Sequence, residues 1–509
     1  MISNNQFLSN SSIKSLASQT ILYGASSIAA RFLNYLLTPY LTAKLSGPGY
    51  GEISIIYAAL PFLSVIFTYG METTFFRFSS NKEDKKNLYS TTLISIVTST
   101  ILFSVLFFLM QSPLAHLLKL DAHPEFITYT LLIIAFDTIS TLPFSKLRLD
   151  GRPGKFALIR IINILTCIFF TYFFISICPK IASNDPNGFI GKHYIPNYGV
   201  GYVILANLIA SFLNLLLLSK ELLSINLKFD LALWKRMILY SLPLIIVGFG
   251  GVVNETFDRI MLGWWAPVKD ASAALNEVGI YGSCYKLSIL ISLFIQAFRM
   301  GAEPFFFKQA EGQNAPRTYA RVMKFFVITI SVMFLIVAMY LDVWKEFIRN
   351  KSFWVGLKIV PILLLANIFL GIYYNLSIWY KITHKTILGA YITIIGAIIT
   401  LLINYIFIPR YSYMACAWAT FFCYGSMMVL SFLWGQKKYY VPYPWRKLVA
   451  YLLIVIILFS IHQWIITYQT NLILNFASAT ILLFGYLIFI VKIERKEIAK
   501  IPVIGRFFN

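Results

Sequence analysis

About fourteen apolar runs of roughly 20 residues follow one another along the chain, and a helix needs about that length to cross ~30 Å of hydrocarbon at ~1.5 Å per residue. They fall at 16–41, 52–78, 88–112, 124–146, 156–178, 199–219, 237–264, 278–300, 323–344, 358–380, 386–408, 411–434, 448–467 and 471–491. The longest gaps, 179–198 and 301–322, leave no room for a soluble domain. The chain therefore reads as a single all-α polytopic membrane protein. Its composition agrees: 58% of the 509 residues are hydrophobic and 13% are charged, which excludes an ordinary soluble domain.

Charge placement sets the expected orientation. Lys and Arg number 43 against 21 Asp and Glu, a formal net charge of +22. On a soluble protein that excess would point to nucleic acid. Here the cations sit in short gaps between apolar runs, so asymmetry across a membrane is the cheaper explanation and no nucleic-acid partner is expected. With the N-terminus inside, the inner gaps and ends hold about 27 of them and the outer gaps about 10, which puts both termini in the cytoplasm. The cluster Lys345, Arg349, Lys351 and Lys358 runs against this bias. Contact with anionic lipid or sugar on the outer face is the one explanation the sequence offers for it. Residues 1–15 lack the marks of a cleaved signal, so the first run is expected to be retained. The five cysteines show no CxxC and the five histidines no ligand spacing, so no metal or cofactor is expected.

Ser241–Trp265, SLPLIIVGFGGVVNETFDRIMLGWW, carries Asn254, Glu255, Asp258 and Arg259 in the second half of a spanning run. Charges at that depth are costly unless they face a bundle interior or a wet cavity. On a continuous helix Gly248, Gly251, Glu255 and Arg259 would lie within about 80° of one another. Two readings compete: an i,i+4 Glu255–Arg259 pair that pins the fold, or charges on a transport path. Pro243, Gly248, Gly250 and Gly251 mark the segment for a bent or broken helix.

Polar residues elsewhere form stripes. Thr20, Tyr23, Ser27, Arg31, Asn34 and Thr38 share a face of the first run; Tyr57, Ser64, Thr68 and Glu72 share one on the second. On the eighth, Tyr281, Tyr285, Ser288, Ser292, Gln296 and Arg299 do the same, with Lys286 off the stripe and a helix contact as its alternative role. Lipid does not tolerate such faces, so they pack against other helices or line water, and their charged members favour a cavity. The candidate substrate-binding residues are Arg31, Asn34, Glu72, Asp137, Glu255, Asp258, Arg259, Lys286, Gln296 and Arg299. The chain has no HExxH, no P-loop and no paired loop carboxylates, so no enzyme activity is expected.

The two halves echo each other. YGEI (50–53) opens the second run and VGIY (278–281) the eighth; IPNY (195–198) precedes the sixth and IPRY (408–411) the twelfth. The matching order points to two six-helix lobes in the same orientation, related by a pseudo-twofold along the membrane normal, with a cavity between them. The expected division is 1–222, 223–435, and 436–509 for two further helices and a cytoplasmic tail.

Arg31, LSGPGYGEIS (45–54), YGMETTFFRF (69–78), FDRIMLGWW (257–265), VGIYGSCYKL (278–287) and AFRMGAEPFFFK (297–308) stand in a distinctive order. Over residues 1–435 this order resembles the polysaccharide flippase branch of the multidrug/oligosaccharidyl-lipid/polysaccharide exporter superfamily. The resemblance implies fourteen helices in two lobes, alternating access and a lipid-linked sugar as cargo. It also implies the bacterial cytoplasmic membrane as location, with a polysaccharide polymerase and glycosyltransferases as partners. It puts Arg31 where the similar lipid II flippases carry a first-helix arginine in the cavity. The chain departs from the pattern at Ser412-Tyr413-Met414-Ala415, where relatives usually have glycines, as Gly199 and Gly201 stand in the first half.

The expected function is translocation of an undecaprenyl-diphosphate-linked oligosaccharide from the cytoplasmic to the outer leaflet. Arg and Lys in a wet cavity suit the diphosphate, Tyr, Ser, Asn and Gln suit the glycan, and the tail stays among membrane lipids. The alternative is a cation-coupled multidrug exporter of the same superfamily. It requires an acid-lined cavity and would use Glu72, Asp137, Glu255 and Asp258.

Overall fold

A computed structural model of the chain describes residues 28–29, 32–33, 35–79, 85–310, 314–468 and 471–498. Every regular element among them is helical, and thirteen helices are long and apolar enough to span a bilayer. They are α1 (Gly47–Thr68), α2 (Asn87–Leu109), α3 (Glu125–Leu149), α4 (Pro153–Asn184), α5 (Gly199–Leu217), α6 (Leu231–Glu255), α7 (Ala271–Gln309), α8 (Ala315–Met339), α9 (Lys351–Ile382), α10 (Thr386–Tyr411), α11 (Tyr413–Lys438), α12 (Trp445–Tyr468) and α13 (Leu472–Glu497). Each matches one expected run. The remaining run, 16–41, lies largely outside the described residues, and its end belongs to a short helix at Thr38–Lys44.

Two runs are broken. The second turns at Tyr69 and Gly70, both at positive φ (33° and 74°), and restarts as a short helix, Met71–Ser79. The glycine admits a left-handed backbone, and a Cβ there would lie 3.0 Å from Cβ of Leu244. The seventh run breaks at Thr256, with φ −136° and ψ −18°, and restarts as Phe257–Trp265. The glycines and Pro243 marked a break further upstream, yet they stay inside α6. At Thr256 the hydroxyl contacts the carbonyls of Val252 (3.2 Å) and Ala58 (3.3 Å) and takes up hydrogen-bonding capacity that a broken helix leaves exposed. Further on, α7 is a single 39-residue helix and runs nine residues past the expected end at 300.

Helices α1–α5 pack as one group, with α5 against α3 and α4 and α2 against α3. Helices α6, α7, α9, α10 and α11 form a second, through the α9–α11, α10–α11, α6–α10 and α7–α9 contacts. The groups meet chiefly along α1 and α7. That meeting is very close at one end: a Cβ on Gly51 would sit 1.8 Å from the Leu275 carbonyl oxygen, and one on Gly279 2.6 Å from that of Gly47. We call this the closed end. The first turns of α9 seal it. Phe353 is fully buried with its ring 5.6 Å from that of Tyr50, and the backbone N–H of Arg349 donates to the Thr42 hydroxyl (3.1 Å).

The opposite end is rich in ion pairs: Arg148 with Glu72, Lys155 with Glu221 (2.7 Å), and Lys381 with Glu303. At that end Lys324 of α8 (2.6 Å) and Lys447 of α12 (3.1 Å) both reach Glu494 of α13, so the last two helices are tied to the bundle through α8.

Candidate substrate cavity

Past Ser54 and Gly282, α1 and α7 no longer touch backbone to backbone, and their facing residues line a cavity of about 290 Å³. Tyr57 of α1, Glu255 and Arg259 of the broken seventh run, and Tyr285, Lys286 and Gln296 of α7 surround it. A second cavity of about 500 Å³ lies on the other side of Glu255, Tyr285, Ser292 and Gln296, which line both. Its further walls are Asn254, Arg299, Asn367, Tyr373, Tyr374 and Tyr424. The eighth-run stripe is thus the partition between two cavities: Tyr285, Ser292 and Gln296 face both, Arg299 faces the second, and Tyr281 turns inward.

The break at Thr256 decides what the charges do. Asp258 and Arg259 fall in the first turn of the restarted helix, where the carboxylate is favoured by the backbone dipole. Asp258 accepts from the Arg259 backbone N–H (2.8 Å), from Arg259 Nη1 (3.1 Å) and from the Tyr281 hydroxyl. Arg259 Nη1 also donates to the Glu255 carbonyl (2.9 Å), and the guanidinium lies 4.2 Å from the Tyr285 ring centroid. The expected i,i+4 Glu255–Arg259 side-chain pair is therefore not formed. That spacing presumes a continuous helix, and here the side chain next door neutralises the arginine.

Lys286 was weighed as a helix contact and instead faces the first cavity. It makes no hydrogen bond or ion pair among the described residues, and Arg259 is its charged neighbour. The Glu255 carboxylate is exposed to both cavities and likewise has no ion-pair partner among the described residues. Arg299 is held by Glu303 (3.8 Å) and stacks on Tyr374 (4.7 Å).

Other candidates stand apart. Glu72 sits beyond the Tyr69–Gly70 turn, paired with Arg148 and 3.4 Å from the Ser145 hydroxyl, so it does not continue the Tyr57 stripe. Asp137 on α3 lies near Ser211 and Arg160 and lines neither cavity. Arg31 and Asn34 lie outside the described residues. Sequence reasoning missed Asn367, Tyr373, Tyr374 and Tyr424. The seven-residue spacing of Asn367 and Tyr374 on one helical face was the available signal. No group of three His, Cys, Asp or Glu suited to a metal occurs among the described residues.

The fold is shared with solved membrane transporters. A structure described as lipid II flippase MurJ in an inward closed conformation matches with a TM-score of 0.72 at 16% identity, covering 94% of this chain and 100% of that one. An inward-facing multidrug resistance MATE family transporter of the MOP superfamily matches with 0.61 at 12%, covering 83% and 95%. A MATE in the straight conformation matches with 0.57 at 12%, covering 86% and 96%. No curated protein matches. These likenesses define the class as a polytopic, all-helical membrane-protein fold. The family follows from the sequence: a family model described as "Polysaccharide biosynthesis protein" matches residues 16–309, more than half of the chain, and the protein belongs to that family.

Proposed function

We propose that the protein is a flippase for a polyprenyl-diphosphate-linked oligosaccharide and works by alternating access between the two helix groups. On this reading the lobes are residues 1–222 and 223–435, with 436–509 appended. The ion-paired end, with both termini, faces the cytoplasm of a bacterial inner membrane, and the closed end faces outward. The observation that carries the reading is Lys286: a cation at membrane depth, free of a carboxylate partner among the described residues, beside Arg259 in a cavity between the lobes. A buried cation of this kind is costly without an anion, and a diphosphate supplies one. Tyr374, Asn367 and Gln296 in the adjoining cavity suit sugar hydroxyls. The polymerase and glycosyltransferases of the same polysaccharide are the expected partners.

The multidrug-exporter reading is favoured by one feature, Glu255, which is open to both cavities and able to meet a cationic drug. The two readings separate on a pair of variants in a strain lacking the chromosomal copy, with protein level checked in the membrane fraction. Lys286→Gln is expected to abolish surface display of the glycan at normal abundance, and Glu255→Gln to leave most of it. Normal display by Lys286→Gln overturns the flippase reading; loss of drug resistance by Glu255→Gln supports the exporter. Arg31→Ala is expected to match Lys286→Gln, and Arg31→Lys to keep part of the activity because the charge remains while the fork is lost.

A further inference from the structure

We infer that Glu255 is a charge filter for the sugar that follows the diphosphate. It admits a hexose that presents hydroxyl or amino donors and rejects one that carries a carboxylate. The inference rests on the flippase reading, because that reading puts a diphosphate on Lys286. Lys286 lines the first cavity alone, whereas Glu255 lines both. A glycan that runs from a diphosphate at Lys286 into the second cavity therefore brings its first sugar past Glu255.

The carboxylate holds nothing of the protein's own. Glu255 is exposed, and among the described residues its side chain receives no hydrogen bond and forms no ion pair. The donors around it are engaged elsewhere. Arg259 Nη1 takes the Glu255 backbone carbonyl (2.9 Å) and the Asp258 carboxylate (3.1 Å). The Tyr424 hydroxyl donates to the Asn254 carbonyl (3.3 Å), and the Ser292 hydroxyl to Asn367 (2.9 Å). Arg299, the cation that lines the second cavity, is turned to Glu303 and to the Tyr374 ring. An ionised carboxylate only accepts, so Glu255 has to find its donors in whatever enters the cavity. Sugar hydroxyls supply them, and an ammonium group supplies them with charge. A second carboxylate supplies none and meets a like charge that no described side chain touches. At a separation of about 8–12 Å and an effective dielectric of about 20, that repulsion weakens binding about 10- to 30-fold. The cavity thus selects by a repulsive element as well as by its attractive contacts.

The test titrates the purified full chain, by calorimetry, with farnesyl diphosphates that carry glucose, glucuronic acid or 6-amino-6-deoxyglucose. These probes are identical except at the last carbon of the sugar. The acid should bind about 10- to 30-fold more weakly than glucose, and the amine at least as tightly as glucose. Glu255→Gln should bring acid and glucose within about twofold, through tighter binding of the acid. Glu255→Asp keeps the charge and should keep the order of the probes. Acid bound as tightly as glucose by the unaltered protein overturns the filter, as does a gap that survives Glu255→Gln. Lys286→Gln should weaken all the probes together, because it removes the partner of the diphosphate. If it weakens none, the placement of the diphosphate falls, and the gap between acid and glucose still judges the filter. Failure of every probe to bind the unaltered protein overturns both.

Discussion

At the closed end, α1 and α7 meet with backbone set against backbone at Gly51 and Gly279, while Gly47 and Gly282 make room for the Asn276 and Ser54 side chains. At the other end the strong contacts are charges, and each pair stays within one helix group: Glu72–Arg148 and Glu221–Lys155 in the first, Glu303–Lys381 in the second. Between the groups there, Leu233 and Met237 of α6 pack in one buried apolar cluster with Met71, Phe75, Leu88 and Leu142, and the Trp234 indole donates to Ser95 (2.7 Å). The difference separates two tasks. Ion pairs inside a group hold it together as a body and do not resist its movement against the other. Glycine packing resists chiefly while the bodies are in register, because a gap of about 1 Å already forfeits up to about half of the dispersion attraction. The closed end is thus built to be complete or absent, and the ion pairs at the other end to survive either state.

The largest effect is expected where a charge pair is most buried. Glu494 is 2% exposed and serves Lys324, Lys447 and Tyr451. Glu494→Ala strands those groups and should cost about 3–5 kcal/mol of stability, read as a lower midpoint of thermal unfolding in detergent. Transport per folded molecule should change little; a specific transport loss would break the division of labour. Gly51→Val tests the other end. Overpacking of about 1–3 kcal/mol should shift the population about 5- to 150-fold away from the closed arrangement. Transport should fall at near-normal abundance, and a disulfide engineered between positions 47 and 276 should form more slowly. Ser412 sits at φ 50° and ψ −136°, a conformation that only glycine holds without strain, so Ser412→Gly should be about 1 kcal/mol more stable than Ser412→Ala, both variants having lost the bond to Glu277. The smallest effect belongs to Glu72→Gln: its pair with Arg148 is about one-third exposed, so about 0.2–1 kcal/mol is at stake and added salt should shrink it further.

Helices were the most legible part of the chain, since hydrocarbon admits a spanning segment only as about 20 apolar residues that satisfy their own backbone. The α7 stripe was legible for the same reason: polar groups at that depth need water or a partner, and helical spacing gathers Tyr285, Ser292, Gln296 and Arg299 on one side. Glu72 misled because a turn at Tyr69–Gly70 interrupts the face on which it was counted. Lys286 misled because stripe reasoning assumes one wet side to a helix, and α7 runs between two cavities.

By itself, then, the sequence determined that the chain crosses a membrane many times and that charge lies deep within it, because transfer free energies are summed residue by residue. The tertiary structure alone decided which charges are spent and which are free. Arg259 is taken by Asp258 because the helix breaks at Thr256, and part of what accommodates that break is the Ala58 carbonyl of α1, a group 198 positions away in the chain. No local pattern encodes a partner that distant, and among the described residues of the two cavities Lys286 is a cation left without one.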